Sequence, residues 1–209
     1  MGILKERQEL NIKILLPKDL INLDFSQGQH LYFLAGPIRG ANDWQHRAIN
    51  MLIQADNNCY IVCPCRYNSD HELYRYALHL RKDFSIELTF NNQTEWERYY
   101  LELASYYGAI IFWLPAESID NPRGDEDGPY ARDTLGELGR WSIRSANQLG
   151  MINGNDRMAK VNLSIGAESD FPGLKVIKRN LDADHGHSFK ISESLEDTIL
   201  KAVGMSQND

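Results

Sequence analysis

Cysteine is nearly missing from the chain, and the little that is there excludes the frameworks cysteine builds. Among 209 residues there are three, Cys59, Cys63 and Cys65. An odd number crowded at one place makes no disulfide scaffold. Cys63-Pro64-Cys65 has neither zinc spacing nor a second pair to complete a site. Reduced thiols in a cytoplasmic protein are the expectation. No apolar run approaches the roughly 20 residues of a membrane span, and residues 1–10 are charged, without a signal-peptide core. Basic clusters are missing too. Lysine and arginine total 22 against 29 aspartates and glutamates, for a net charge of −7. A grip on the phosphates of long nucleic acid is therefore not expected, while a nucleotide-sized ligand stays open. There is no G-x-G-x-x-G, no P-loop, no Gly-x-Ser-x-Gly and no Cys/His nucleophile arrangement. The acidic run Arg123–Gly128 lacks EF-hand spacing, and His185 and His187 have no ligand context, so neither a metal nor a cofactor is expected.

What is present is ordinary globular composition, 43% hydrophobic and 24% charged, enough for one domain with a real core. Residues 1–29 read as an accessory segment with a short edge strand at 11–16 stopped by Pro17. Residues 30–203 form the main domain, and 204–209 a disordered tail. Three continuous apolar runs, Leu31–Ala35, Cys59–Cys63 and Gly108–Leu114, suit strands buried on both faces. Lys160–Ile165 is expected as a fourth strand and Leu174–Ile177 as a fifth. Helices are expected after an Asn42 cap, over 94–107, over 134–148, and after Ser194, with a possible one at 72–84 inside the variable 69–92 segment. Strands alternating with helices predict an α/β fold, a doubly wound parallel sheet of five strands with helices on both faces.

In such a sheet the strand C-termini and helix N-termini share one edge, where ligands bind. Four stretches meet there: Gly36–Gly40, Pro64–Arg66, Thr94–Glu97 and Thr134–Glu137. Gly36-Pro37-Ile38-Arg39-Gly40 lets backbone approach an anion, with Arg39 adding a bidentate grip; the plainer alternative is a tight turn with Arg39 solvated. Glu97 and Glu137 are candidate catalytic carboxylates, each near a helix start whose dipole favours the ionised form a nucleophile needs. Thr94-x-x-Glu97 and Thr134-x-x-Glu137 also match the capping box, which on pattern alone is the commoner role. Trp113, near a strand end, is either core or a ligand contact. The loop 115–132 is long enough to carry function.

These pieces resemble the nucleoside 2-deoxyribosyltransferase superfamily, in its broader "-like" branch. Leu34-Ala35-Gly36-Pro37-Ile38-Arg39-Gly40, Trp96-Glu97, Ala109–Pro115, and Tyr130-Ala131-Arg132-Asp133-Thr134 running into Glu137-Leu138-Gly139 carry the resemblance, which covers about residues 30–203. It implies a flavodoxin-like sheet, a homo-oligomer, and cleavage or transfer at the N-glycosidic bond of a nucleoside or nucleoside 5′-monophosphate. Glu137 falls where the family's nucleophile sits. Glu97 matches an acidic residue assisting base departure, although the family more often has Asp there. Gly36–Gly40 is similar to a 5′-phosphate-binding loop. Arg66, Trp113, Arg132 and Asp133 complete the expected substrate contacts, Arg132 and Asp133 standing near a position where the family commonly has a sugar-binding Asp. Base exchange on deoxynucleosides, hydrolysis of a nucleotide or NAD N-glycoside, and a non-catalytic nucleotide-binding module are the three functions this allows.

Overall fold

The computed structural model describes residues 12–76, 90–147, 161–186 and 189–207. Residues 1–11, most of the expected 72–84 helix, the 150–159 connection, the start of the fourth strand at Lys160, His187 and the last two residues lie outside it. The five strands are β1 (Lys13–Leu15), β2 (His30–Ala35), β3 (Cys59–Val62), β4 (Gly108–Leu114) and β5 (Leu163–Ala167), all parallel, in the order β1-β3-β2-β4-β5. The helices are α1 (Trp44–Ala55), α2 (Gln93–Tyr107), α3 (Arg132–Asn147), α4 (Leu174–His185) and α5 (Leu195–Ser206), with a short 3₁₀ turn at Glu72–Tyr76. This is a doubly wound, flavodoxin-like sheet.

The alternation of side chains along each strand builds two cores. Leu31, Phe33 and Ala35 of β2 and Ile110, Phe112 and Leu114 of β4 face one side, packed with residues of α2, α3 and α4. Tyr32, Leu34, Ala109, Ile111 and Trp113 face the other, packed with α1 and α5. Because both faces are covered, the strands read as unbroken apolar runs. Phe33 is 1% exposed, and truncating such a residue to alanine costs about 3–5 kcal/mol. Gly166 of β5 is where α5 presses closest: a Cβ there would sit 1.9 Å from Thr198 Oγ1.

One expected strand is absent here. Leu174–Ile177 is not a fifth strand but the first turn of α4. Ile177, Leu181 and His185 are its buried residues, a spacing of four that belongs to a helix and not to a strand. The fifth strand is instead β1, the short edge strand expected at 11–16, which pairs with β3 through Lys13↔Tyr60 to Leu15↔Val62. The segment before residue 30 is therefore part of the sheet. It is anchored further where Trp96 Nε1 and Tyr100 Oη donate to the Asp19 carbonyl at 2.8 and 3.0 Å. At the other end α5 runs to Ser206, past the expected boundary at 203.

The winding order reverses between the parallel neighbours β2 and β4, whose connections leave in opposite senses along the sheet. The crevice beyond their C-terminal ends is the switch point where open α/β sheets place ligands.

Candidate active site

A cleft of about 530 Å³ opens at that switch point, within the usual range of roughly 300–1,000 Å³ for a small-molecule site. Its floor is the end of β2, Phe33 and Ala35, and its walls come from four loops and helix starts. Gly36, Pro37, Ile38, Arg39, Arg66, Arg132 and Asp133 all line it, together with Glu97 and Glu137. The glycine at 36 is required by crowding: a Cβ would stand 2.3 Å from the Trp113 carbonyl and 2.7 Å from the Trp44 ring. Trp44 in turn holds the loop by donating from Nε1 to the Pro37 carbonyl at 2.9 Å.

Two expected contacts fall elsewhere. Trp113 is 4% exposed and belongs to the core beneath α1 and α5. β4 alternates faces, and Phe112 and Leu114 point into the opposite core with residues of α2, α3 and α4. Gly40 lies behind the lining, at φ +74°, where a Cβ would meet Arg123 Cγ at 2.6 Å. Its carbonyl accepts the Ser118 N–H at 2.6 Å, pinning the Gly36–Gly40 loop to the 115–131 loop.

The helix caps also differ from expectation, and this releases both glutamates. Asp43, not Asn42, caps α1. Asn92 caps α2, accepting from the Glu95 N–H at 2.9 Å, while Glu95 reaches back to the Asn91 N–H at 3.0 Å. Thr94 is thus inside the helix, and no 94/97 box forms. α3 begins at Arg132, so Thr134 sits in its first turn rather than at the cap, and Glu137 stands in the second turn. Ala131 precedes the helix at φ +56°, a conformation rare outside glycine. Both glutamates are left to face the cleft.

Their electrostatics are set by position. Glu137 is partly buried, and burial, followed by the negative charges of Glu97 and Asp133, raises its carboxyl from 4.5 to about 7. Arg140 and Arg98 pull the other way and lose. The helix-start dipole expected to hold Glu137 ionised is outweighed by desolvation. Glu97 is also raised, chiefly by burial, but Gln93 and Arg66 oppose the rise. Gln93, which pattern reading missed, links them. It accepts from Arg66 Nε at 2.6 Å and donates to Glu97 Oε1 at 2.7 Å and to the Pro64 carbonyl at 2.9 Å.

The mouth is cationic but internally paired. Arg39 donates to Asp127 at 2.8 Å with its side chain 79% exposed. Arg123 forks onto Glu117 at 2.7 and 3.3 Å. Arg132 lies 3.6 Å from Asp133. Arg123 and Asp127 were hidden in a run read only for its acidity; the length of the loop was the available signal. The chain matches no protein-family model, and no curated protein matches it either. No helix among the described residues is long and apolar enough to cross a membrane.

Proposed function

We propose that the protein cleaves or transfers at the N-glycosidic bond of a nucleoside or nucleoside 5′-monophosphate, as a base-exchanging deoxyribosyltransferase. The observation that carries this is the placement of Glu137 and Glu97 on separate helices lining one cleft of nucleotide size, close enough for Glu97 to raise the Glu137 carboxyl. The resemblance to nucleoside 2-deoxyribosyltransferase-like proteins points to the same pair. Ionised Glu137 attacks the anomeric carbon as the bond to the base breaks, and the departing pair of electrons goes to the base, which takes up a proton. A glycosyl ester on Glu137 results, and a ring nitrogen of a second base attacks the anomeric carbon, losing its proton to solvent as the ester C–O bond breaks and the carboxylate is regenerated. The first base took its proton from the same solvent. Glu97, oriented by Gln93, steers the sugar or the leaving base. A homo-oligomer belongs to the same proposal.

The test is incubation with a deoxynucleoside and a second free base. An exchanged nucleoside that disappears in Glu137→Gln is expected; no exchange across several bases removes the transferase reading. A second reading, hydrolysis with water as acceptor, is favoured by the arginines lining the cleft, Arg39, Arg66, Arg123 and Arg132, which suit a phosphorylated substrate. Free base released without an acceptor, faster from the 5′-monophosphate, identifies it.

A further inference from the structure

A second cluster with ligand chemistry lies outside the cleft, where the chain leaving β3 returns over the start of α1. Asp43 caps α1, its Oδ1 accepting the His46 N–H at 3.1 Å. His71 Nε2 meets Asp43 Oδ2 at 2.9 Å, and the Tyr67 ring stacks on His71 at 4.1 Å. His46 Nδ1 stands 3.9 Å from Asp43 Oδ2, while its Nε2 faces the Glu72 carboxylate. One ligand atom each from Asp43, His46 and His71 falls within 4.8 Å of the others.

We propose that Asp43, His46 and His71 bind a divalent transition-metal ion of the Zn²⁺ type. Two imidazoles and one carboxylate are a borderline-soft donor set, suited to Zn²⁺, Co²⁺ or Ni²⁺ and poorly suited to Ca²⁺ or Mg²⁺, which take oxygens. His46 is prepared for it. Its Nδ1 faces Asp43, and the Glu72 carboxylate beside Nε2 is placed to take the ring proton of a metal-bound imidazole, the carboxylate–histidine–metal arrangement. His71 must adjust. The Leu73 N–H donates to its Nδ1 at 3.1 Å, so the ring proton sits on Nε2. Binding moves it to Nδ1, and the part-buried Leu73 amide turns to water. Two metal–ligand bonds of about 2.0–2.1 Å at a tetrahedral angle hold their donor atoms roughly 3.4 Å apart, so the loop carrying His71 draws inward by up to about 1.5 Å to close separations that lie within 4.8 Å. Side-chain exposures of 40% for Asp43 and 27% for each histidine leave an entry path. Three protein ligands leave a fourth position for water. The ion ties the loop after β3 to α1, and that loop also carries Arg66 of the cleft wall.

The experiment uses the full chain without an affinity tag, stripped with chelator and dialysed against Zn²⁺ with metal content measured. One bound equivalent is expected. His46→Gln and His71→Gln should each weaken binding by about tenfold or more, and His187→Gln should leave it unchanged. Zn²⁺ should raise the melting temperature of the native chain but not of His71→Gln; circular dichroism confirms folding, and His46→Gln serves alone if His71→Gln does not fold. Co²⁺ in place of Zn²⁺ should show d–d absorption without a sulfur-to-metal charge-transfer band. Failure of the native chain to bind, binding equally tight in both histidine variants, or a charge-transfer band from Cys63 or Cys65 each overturns the proposal, leaving the cluster an ordinary hydrogen-bonded helix cap.

Discussion

Glu137→Gln should stabilise the fold at alkaline pH and do little at acid pH. The Glu137 carboxyl titrates at about 7 in the folded chain against an ordinary 4.5. Between those values the folded chain keeps a proton that the unfolded chain has released. Stability therefore falls as pH rises through that interval, and the whole penalty is in place above about 7. At about 1.4 kcal/mol per pH unit, the gap is worth on the order of 3 kcal/mol. Glutamine has a similar shape and cannot ionise, so it escapes the penalty. Urea unfolding of the native chain and the variant should give a difference of about 3 kcal/mol in the variant's favour at pH 8, shrinking to about 1 kcal/mol at pH 5. Packing differences between the two side chains are present at both pH values and cancel in that comparison. Removing one negative charge also eases ionisation of Glu97, which adds in the same direction. A stability difference that is the same at both pH values refutes the argument that burial and neighbouring carboxylates raise Glu137.

Three further outcomes follow from the same geometry. If Glu137 is the nucleophile, kcat/KM should rise with pH to a plateau above about 7, dropping roughly tenfold per pH unit below it; a rate that instead falls above 7 makes Glu137 the general acid. Arg39→Ala should erase any preference for a 5′-monophosphate over the free nucleoside, measured as a kcat/KM ratio, and an intact preference would take Arg39 out of phosphate binding. Asp56 sits at the opposite edge of the sheet, accepting from His30 Nδ1 at 2.8 Å, Tyr32 Oη at 2.9 Å and the Asn58 N–H at 3.0 Å. Burial opposes its ionisation, but these donors prevail and hold it below the usual carboxylate value. It therefore contributes stability above that usual value which is lost as pH falls further, and Asp56→Ala should cost about 3 kcal/mol in urea unfolding at neutral pH.

The sheet was legible because both of its faces are covered. Leu31–Ala35, Cys59–Val62 and Gly108–Leu114 are apolar without interruption, and only a strand between two helical layers needs that. The position of the cleft followed from topology alone. Leu174–Ile177 was misread because four residues with three apolar ones fit a strand or a helix equally; Leu181 and His185, further on, decide it. The Thr-x-x-Glu pattern occurs at both glutamates, but Asn92 and the earlier start at Arg132 take the cap positions, and a local pattern cannot weigh those competitors. The raised Glu137 carboxyl depends first on burial and then on the approach of Glu97 from another helix, forty residues earlier in the chain. Asp43 and His46 meet His71 only through the fold, so spacing carried no trace of that cluster.

The raised Glu137 carboxyl looks at first like an argument against a nucleophile, which must be ionised. The charges around it suggest otherwise. Glu97, Asp127, Asp133 and Glu137 line the cleft beside Arg39, Arg66, Arg123 and Arg132, but the arginines are held toward the mouth by Asp127, Gln93, Glu117 and Asp133. Deeper in, Glu97 and Glu137 have no such partner among the described residues: Glu97 takes a neutral amide, and the cations acting on Glu137 do not offset its burial. A pair of desolvated carboxylates is a poor setting for anions and a good one for developing positive charge. The proposed transition state supplies that charge at the sugar carbon. An oxocarbenium-like centre between the two would draw Glu137 back to its ionised form and relieve the repulsion from Glu97. That interaction is absent with a neutral ground-state nucleoside, so its free energy appears in the barrier and not in substrate affinity. On this account the instability of the paired glutamates and their proposed catalytic power have one physical source.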